Sequence, residues 1–133
     1  FTPDDSKLIT HAYEILPKLR EDYNSQLFNV ALERVWGLVA ASNKYIDEQA
    51  PWKLRKTDPD RMHTVLYTLL ETIRCIGILL QPIMPGSSEK ILNQLAVDTS
   101  KRSFAALNSN DRLEAGIALQ KPNPIFPRFE EKT

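Results

Sequence analysis

Apolar side chains between residues 26 and 49 recur at helical spacing, and this repeat constrains the fold more than any other feature. At 100° per residue they fall in one arc about 140° wide, with charged and amide side chains opposite. The members of the arc are Leu27, Phe28, Ala31, Leu32, Val35, Leu38, Val39, Tyr45 and Ile46. The spacing predicts a core-facing helix from about Gln26 to Gln49. Asn24–Ser25 would cap this helix, and Pro51 would end it.

Two further segments show the same spacing. The first begins at Pro3, with Thr2 as cap, and extends to about Tyr23, but Pro17 inside it predicts a break or kink. The other begins at Pro59 after the cap residue Asp58 and ends near Leu80. Its apolar arc contains Met62, Val65, Leu66, Leu69, Leu70, Ile73, Ile76, Gly77 and Leu80. A glycine in such an arc predicts a close helix crossing.

Two shorter helices complete the helical set. A turn of helix is predicted from Pro51 to Arg55, because proline suits the first helical position. Ser87–Ser88 is predicted to open a helix from Glu89 to about Ala96.

The last quarter of the chain lacks helical spacing. Val97 to Asp111 is polar and is predicted to be irregular, with one short turn near Phe104–Leu107. Gly116 to Glu131 contains three prolines but is too apolar for a free tail, so we expect it to pack back onto the helices. Residues 1–133 are therefore predicted to form one all-α domain, an antiparallel helical bundle with a proline-rich irregular C-terminal segment.

Charge and cysteine content exclude some function classes. The 17 basic and 17 acidic residues cancel, which argues against a partner held by bulk charge, such as duplex DNA. The single cysteine, Cys75, excludes an internal disulfide and suits a reducing compartment, so we expect a cytoplasmic protein. No apolar run approaches the roughly 20 residues that span a bilayer, and no membrane partner is predicted.

The sequence contains no set of residues that predicts catalysis. His11, His63 and Cys75 lack the paired spacing of a zinc site, and Cys75 is expected to be a small packing residue. A glycine-rich phosphate loop is also absent. We therefore predict no catalytic residue, metal or cofactor in the chain itself, which leaves a binding or structural module.

The densest positive cluster follows an aromatic residue. Three of the four residues from Lys53 to Lys56 are basic, Trp52 precedes them, and Arg61 follows closely. An aromatic face beside cations is the pattern for single-stranded nucleic acid, in which a base stacks on the ring and cations contact phosphate. Spacing alone favours an alternative, in which the tryptophan seals the end of the core and the basic residues are merely solvated.

Three stretches in order carry a family resemblance. Residues 40–54 contain Asn43, then Tyr45-Ile46, then Pro51-Trp52; residues 79–85 read Leu-Leu-Gln-Pro-Ile-Met-Pro; and residues 124–128 read Pro-Ile-Phe-Pro-Arg. Together they resemble the helical anticodon-binding domain of methionyl-tRNA synthetase, a class I aminoacyl-tRNA synthetase. The resemblance covers nearly the whole chain.

The resemblance implies a role for Trp52, which would stack against the first anticodon base, a cytosine. We carry Pro51 with it as part of the same motif. Lys53, Arg55 and Lys56 are candidates for phosphate contacts on charge alone. Asn43 is a further candidate, because it lies two helical turns from Trp36 and shares its face; all of these are predicted nucleic-acid-binding residues.

The resemblance also implies a larger parent protein, a methionine–tRNA ligase that uses ATP with Mg²⁺. The expected partners are the methionine anticodon stem-loop of a tRNA and the catalytic domain of the same polypeptide. In the family an asparagine and an arginine on the helix before this segment also contact the anticodon, and neither that helix nor the ATP-site signatures occur in this chain. The alternatives are the same domain of another class I synthetase and a helical protein–protein module.

Overall fold

The computed structural model describes residues 2–108 and 110–113 of the chain. Its helices are α1 (Pro3–Asn24), α2 (Phe28–Gln49), α3 (Pro51–Thr57), α4 (Pro59–Leu79) and α5 (Pro85–Gln94), followed by 3-10 turns at Thr99–Lys101 and Phe104–Ala106. Strands are absent from the described residues, which confirms the predicted all-α class. The predicted C-terminal segment, residues 116–131, lies outside the described residues.

Long-range hydrogen bonds define the direction of the helices. Tyr45 near the end of α2 and Arg61 near the start of α4 both reach Asp5 in the first turn of α1. Helix α2 is therefore antiparallel to α1 and α4, which confirms the predicted antiparallel bundle. Helices α1, α2 and α4 pack against one another, and α3 and α5 each pack on α4.

Helix α1 continues through Pro17, so the predicted break is wrong. Pro17 is exposed, and its ring lies on the solvent side of the helix. Ile15 and Leu19 on either side are buried in the same core, and their packing outweighs the local cost of one proline. At the N-terminus Thr2 and Asp5 form the reciprocal cap that the sequence predicted only in part.

The start of α2 also differs from the prediction. The helix begins at Phe28. Its N-cap residue, Leu27, forms no side-chain cap, and Gln26 before it has a positive φ of 59°. Leu27 and Phe28 were expected in the core but are 45% and 58% exposed. Both precede Ala31, the first buried residue of α2, and Phe28 packs instead on the ring of Tyr23.

The buried face of α4 is rotated relative to the predicted apolar arc. Leu66 and Ile73 are 39% and 37% exposed, so their predicted place in the core is wrong, whereas Thr68 and Thr72 are fully buried. Each threonine hydroxyl donates to the carbonyl four residues earlier, which satisfies its polar group without an external partner. A helical wheel drawn from apolar residues alone omits these two.

Helix α4 is long and apolar enough to cross a membrane by composition, but 56% of the window that meets this criterion is buried inside the bundle. Cys75 in this helix is fully buried and unpaired, as expected of a packing residue, and burial raises the pKa of its thiol to about 12.

The crossing of α4 and α5 confirms the prediction for Gly77. A Cβ atom at this position would lie 3.1 Å from a methyl group of Ile91 and 3.2 Å from one of Leu92. Helix α5 begins at Pro85, four residues before the predicted start, because this proline occupies the first helical position. Ser88, predicted to precede the helix, is therefore buried within it.

Candidate nucleic-acid interface

Helix α3 has seven residues and is flanked by two non-helical residues, the joints Ala50 and Asp58. Ala50 precedes it in the left-handed conformation, with φ 46° and ψ 63°, and Asp58 follows it with φ −150°. A helix this short is not stable alone, so tertiary contacts must hold it. Pro51 is buried and Leu54 is half-buried, and these two side chains anchor α3 to the bundle.

The other predicted residues of this segment lie on its outer surface. Trp52 is 57% exposed, and Lys53, Arg55 and Lys56 are exposed as well. The tryptophan therefore does not seal the core, and that part of the alternative is wrong. All four side chains are carried by a helix about 10 Å long, so the ring and the cations share one small region.

Pro51 differs from its neighbours in the predicted set. Its side chain is buried under α3, which makes it an anchor of the helix and leaves little of it for contact with a ligand. Its ring occupies the first helical position, where the missing N–H costs nothing. The sequence did not distinguish this role from that of Trp52.

Asn43 lies on α2, outside α3. It is exposed, as is Trp36, which lies seven residues earlier on the same helix face and is 47% exposed. Lys44 beside it is also exposed and forms only a long, 3.8 Å ion pair with Glu48. Asn43 is accessible, and it is separated from α3 by the end of α2.

Arg61, which the sequence placed beside the basic cluster, is partly buried and bonded to residues of α1 and α2. Its guanidinium donates to both carboxylate oxygens of Asp5, at 2.5 and 2.8 Å. The same group donates to the amide oxygen of Gln49, the last residue of α2, at 2.8 Å. Charge on the outer surface of α3 therefore comes from Lys53, Arg55 and Lys56.

The carboxylate of Asp5 is fully buried beneath this end of the bundle. Burial alone raises the pKa of such a group, but hydrogen bonds from Arg61 and Tyr45 outweigh it and hold the pKa of Asp5 well below its usual range. Asp5 is therefore charged whenever the protein is folded near neutral pH. The partners of Asp5 are 40 and 56 residues away in the chain, so no local pattern indicates this role.

Comparisons with known proteins agree on one family. A family model described as the anticodon binding domain of methionyl tRNA ligase matches residues 1–133. The methionine–tRNA ligase of Rhizobium meliloti is 41% identical over 128 residues, which are 96% of this chain and 25% of that protein. The methionine–tRNA ligase of Rickettsia felis is 49% identical over 102 residues, which are 77% of this chain and 20% of that protein.

Solved structures show the same similarity. The apo methionyl-tRNA synthetase of Mycobacterium tuberculosis matches with a TM-score of 0.92 and 37% identity, over 99% of this chain and 27% of that one. The same enzyme bound by methionyl-adenylate matches with a TM-score of 0.90 and 37% identity, over 96% of this chain and 26% of that one. The chain thus spans about a quarter of the length of these relatives.

Proposed function

The chain belongs to the family of anticodon-binding domains of methionyl-tRNA ligases, and on this basis we propose that it recognises the anticodon of a methionine tRNA. We further propose that residues 1–133 act as one domain of a methionine–tRNA ligase, attached to a catalytic domain of the same polypeptide. The other class I synthetases and the protein–protein module have no comparable support, because the relatives described above are methionine enzymes.

The exposure of Trp52 is the observation that carries this proposal. Trp52 is 57% exposed at the start of α3, so its ring is accessible to a partner. A nucleobase suits this ring, because any base has a π-face that stacks on an aromatic side chain. We assign the first anticodon base, a cytosine, to this position.

Cations on the same helix would act on the RNA backbone. Lys53, Arg55 and Lys56 are exposed, and we propose that they contact phosphates, which position the RNA without reading its sequence. Arg55 and Lys56 also lie in the last turn of α3, where positive charge stabilises a helix end. We propose Asn43 as a further polar contact from α2.

The proposed parent enzyme would activate methionine with ATP and Mg²⁺ and then transfer it to tRNA. The residues of this chain do not fit an ATP site, because the sequence contains no glycine-rich phosphate loop. We derive no catalytic step from them. A cytoplasmic location is proposed as well, since the single cysteine is buried and unpaired.

Replacement of Trp52 by alanine in the complete ligase tests the proposal. The loss of one stacked base is expected to weaken binding of a methionine anticodon stem-loop by about 1–3 kcal/mol, or about 5- to 150-fold in Kd. The free energy of unfolding of the 133-residue chain, measured in urea, should change by less than about 1 kcal/mol, because the side chain is exposed. Fluorescence anisotropy of labelled RNA measures the first quantity.

Phe28→Ala is the matched control. Phe28 is 58% exposed, close to the value for Trp52, but it lies at the opposite end of α2. Its removal should leave stem-loop binding unchanged. The base assignment is tested by a second stem-loop that lacks the first anticodon base (an abasic site). Loss of that base should weaken binding to the unmodified enzyme and should not weaken binding to the Trp52→Ala variant further. Equal loss of affinity in the Phe28 and Trp52 variants would exclude a specific stacking role.

A further inference from the structure

The direction of helix α3 depends on one main packing partner and on the joints at its two ends. It packs mainly on α4, through the two anchors Pro51 and Leu54, and non-helical joints flank it on both sides. Rotation about Ala50 and Asp58 would change where an exposed side chain on α3 points. A stacking residue must be held close to its productive orientation, because small displacements forfeit much of the interaction.

A side-chain hydrogen bond joins the end of α2, just before α3, to the start of α4, just after it. Gln49 ends α2 immediately before the joint at Ala50, and Arg61 lies in the first turn of α4, just after the second joint. The 2.8 Å hydrogen bond from the Arg61 guanidinium to the Gln49 amide oxygen closes the segment between them, residues 50–60, at its base.

Arg61 is itself immobilised. Two of its hydrogen bonds are the paired contacts with the buried carboxylate of Asp5, which Tyr45 also holds. Such a paired contact restricts the plane of the guanidinium as well as its position. Through Gln49, the joint before α3 is tied to a rigid point in α1.

We propose that Gln49 and Arg61 are positioning residues for the RNA-binding surface: their hydrogen bond fixes the direction of α3 and so orients Trp52 toward the anticodon. The inference rests on the proposed function. Neither residue contacts RNA in this scheme. Arg61, despite its place beside the basic cluster, contributes through Gln49 and not through phosphate.

Gln49→Met tests the proposal, because it removes the acceptor at similar side-chain length and leaves the pair between Arg61 and Asp5 intact. In the complete ligase it should weaken stem-loop binding about five-fold. Gln81→Met is the matched control. Gln81 donates to the carbonyl of Arg102 at 2.6 Å, beyond the opposite end of α4, so the same substitution removes one hydrogen bond about 30 Å away. It should lower the urea midpoint and leave RNA binding unchanged.

A double-mutant cycle with Trp52→Ala separates positioning from direct contact. If Gln49 acts through Trp52, Gln49→Met has no further effect once the tryptophan is gone. An equal effect in both backgrounds would show that Gln49 does not act through Trp52, and the proposal would be wrong. No effect in either background, with Trp52→Ala still impaired, would overturn the positioning role alone. If Trp52→Ala binds normally, the proposed stacking function fails, and the positioning role fails with it.

Discussion

Helix α4 carries two arginines, and each forms an ion pair with a carboxylate. Each carboxylate also accepts a hydrogen bond from a tyrosine hydroxyl, so the residues form two similar sets, which differ in their surroundings. The rim set consists of Arg61, Asp5 and Tyr45, and the core set of Arg74, Glu71 and Tyr13. In the core set both charged side chains are only 1% exposed. In the rim set the carboxylate is fully buried, but the arginine side chain is 20% exposed.

The two sets also differ in what they connect. The arginine and glutamate of the core set are three residues apart on one helix, and they reach outward to the segment after α5, through the carbonyl of Ala106 and the N–H of Leu113. The rim set joins α1, α2 and α4 at the end of the bundle where α3 begins. Similar chemistry therefore holds the segment after α5 in the core set and supports the candidate RNA surface in the rim set.

The largest effect is expected from Glu71→Ala in the core set. The change leaves the buried Arg74 guanidinium without its carboxylate, and it removes the acceptor of Tyr13 and of the Leu113 N–H. We expect the free energy of unfolding to fall by about 4 kcal/mol, measured by urea denaturation. Stem-loop affinity of the protein that remains folded should be unchanged.

A double substitution checks the cause of that loss. Glu71→Met with Arg74→Met removes both charges and should recover much of the stability, because no unpaired buried charge remains. If the double variant is as unstable as Glu71→Ala, the loss of stability comes from packing or from the segment after α5. An unpaired buried charge would then not distinguish the core set from the rim set.

The sequence predicts the helices better than it predicts the rim and core sets. Apolar spacing located α2 and α4 because burial of one face dominates their stability. It missed Thr68 on the buried side of α4, since a hydroxyl bonded within its own helix has no apolar signal. The partners of Asp5 lie 40 and 56 residues away, and only the tertiary fold brings them together.

The candidate site shows the same division. Local sequence identified Trp52 and its neighbouring cations, because an aromatic beside basic residues is a local pattern. It did not separate the buried Pro51 from the exposed Trp52, and it grouped Arg61 with cations that face solvent. Exposure and long-range pairing depend on the packing of α3 and α4, which no local pattern contains.

The rim set should make stability depend on acid pH. Asp5 has a folded pKa well below its unfolded value of about 4, so its contribution is complete above that pH and is lost as the pH falls below it. Asp5→Asn should cost about 3 kcal/mol at pH 7. The difference in unfolding free energy between the two proteins should narrow steadily from pH 4 downward. A constant difference across that range would mean that the charge of Asp5 contributes nothing, leaving only shape and hydrogen bonding.

The two tyrosines offer a matched pair with a smaller effect. Tyr13→Phe and Tyr45→Phe each remove one hydroxyl that donates to a carboxylate, and each should cost about 1 kcal/mol in urea unfolding. Only Tyr45→Phe should also weaken stem-loop binding, by loosening the carboxylate that holds Arg61. Identical RNA affinity in the two variants would show that both sets are purely structural.

Ala50→Gly is expected to have the smallest effect and bears on how α3 is held. Ala50 has a φ of 46°, where a Cβ atom is strained and glycine is not, so the change should stabilise the chain by about 0.5 kcal/mol after the extra unfolded-state entropy of glycine is subtracted. If the rim set fixes the direction of α3 through Gln49, the looser joint has no consequence for RNA, and stem-loop affinity is retained. In a Gln49→Met background the same glycine should weaken binding further, because neither the joint nor the side-chain bond then restrains α3. Loss of affinity from Ala50→Gly alone would place the restraint in the backbone joint and remove the functional difference between the rim set and the core set.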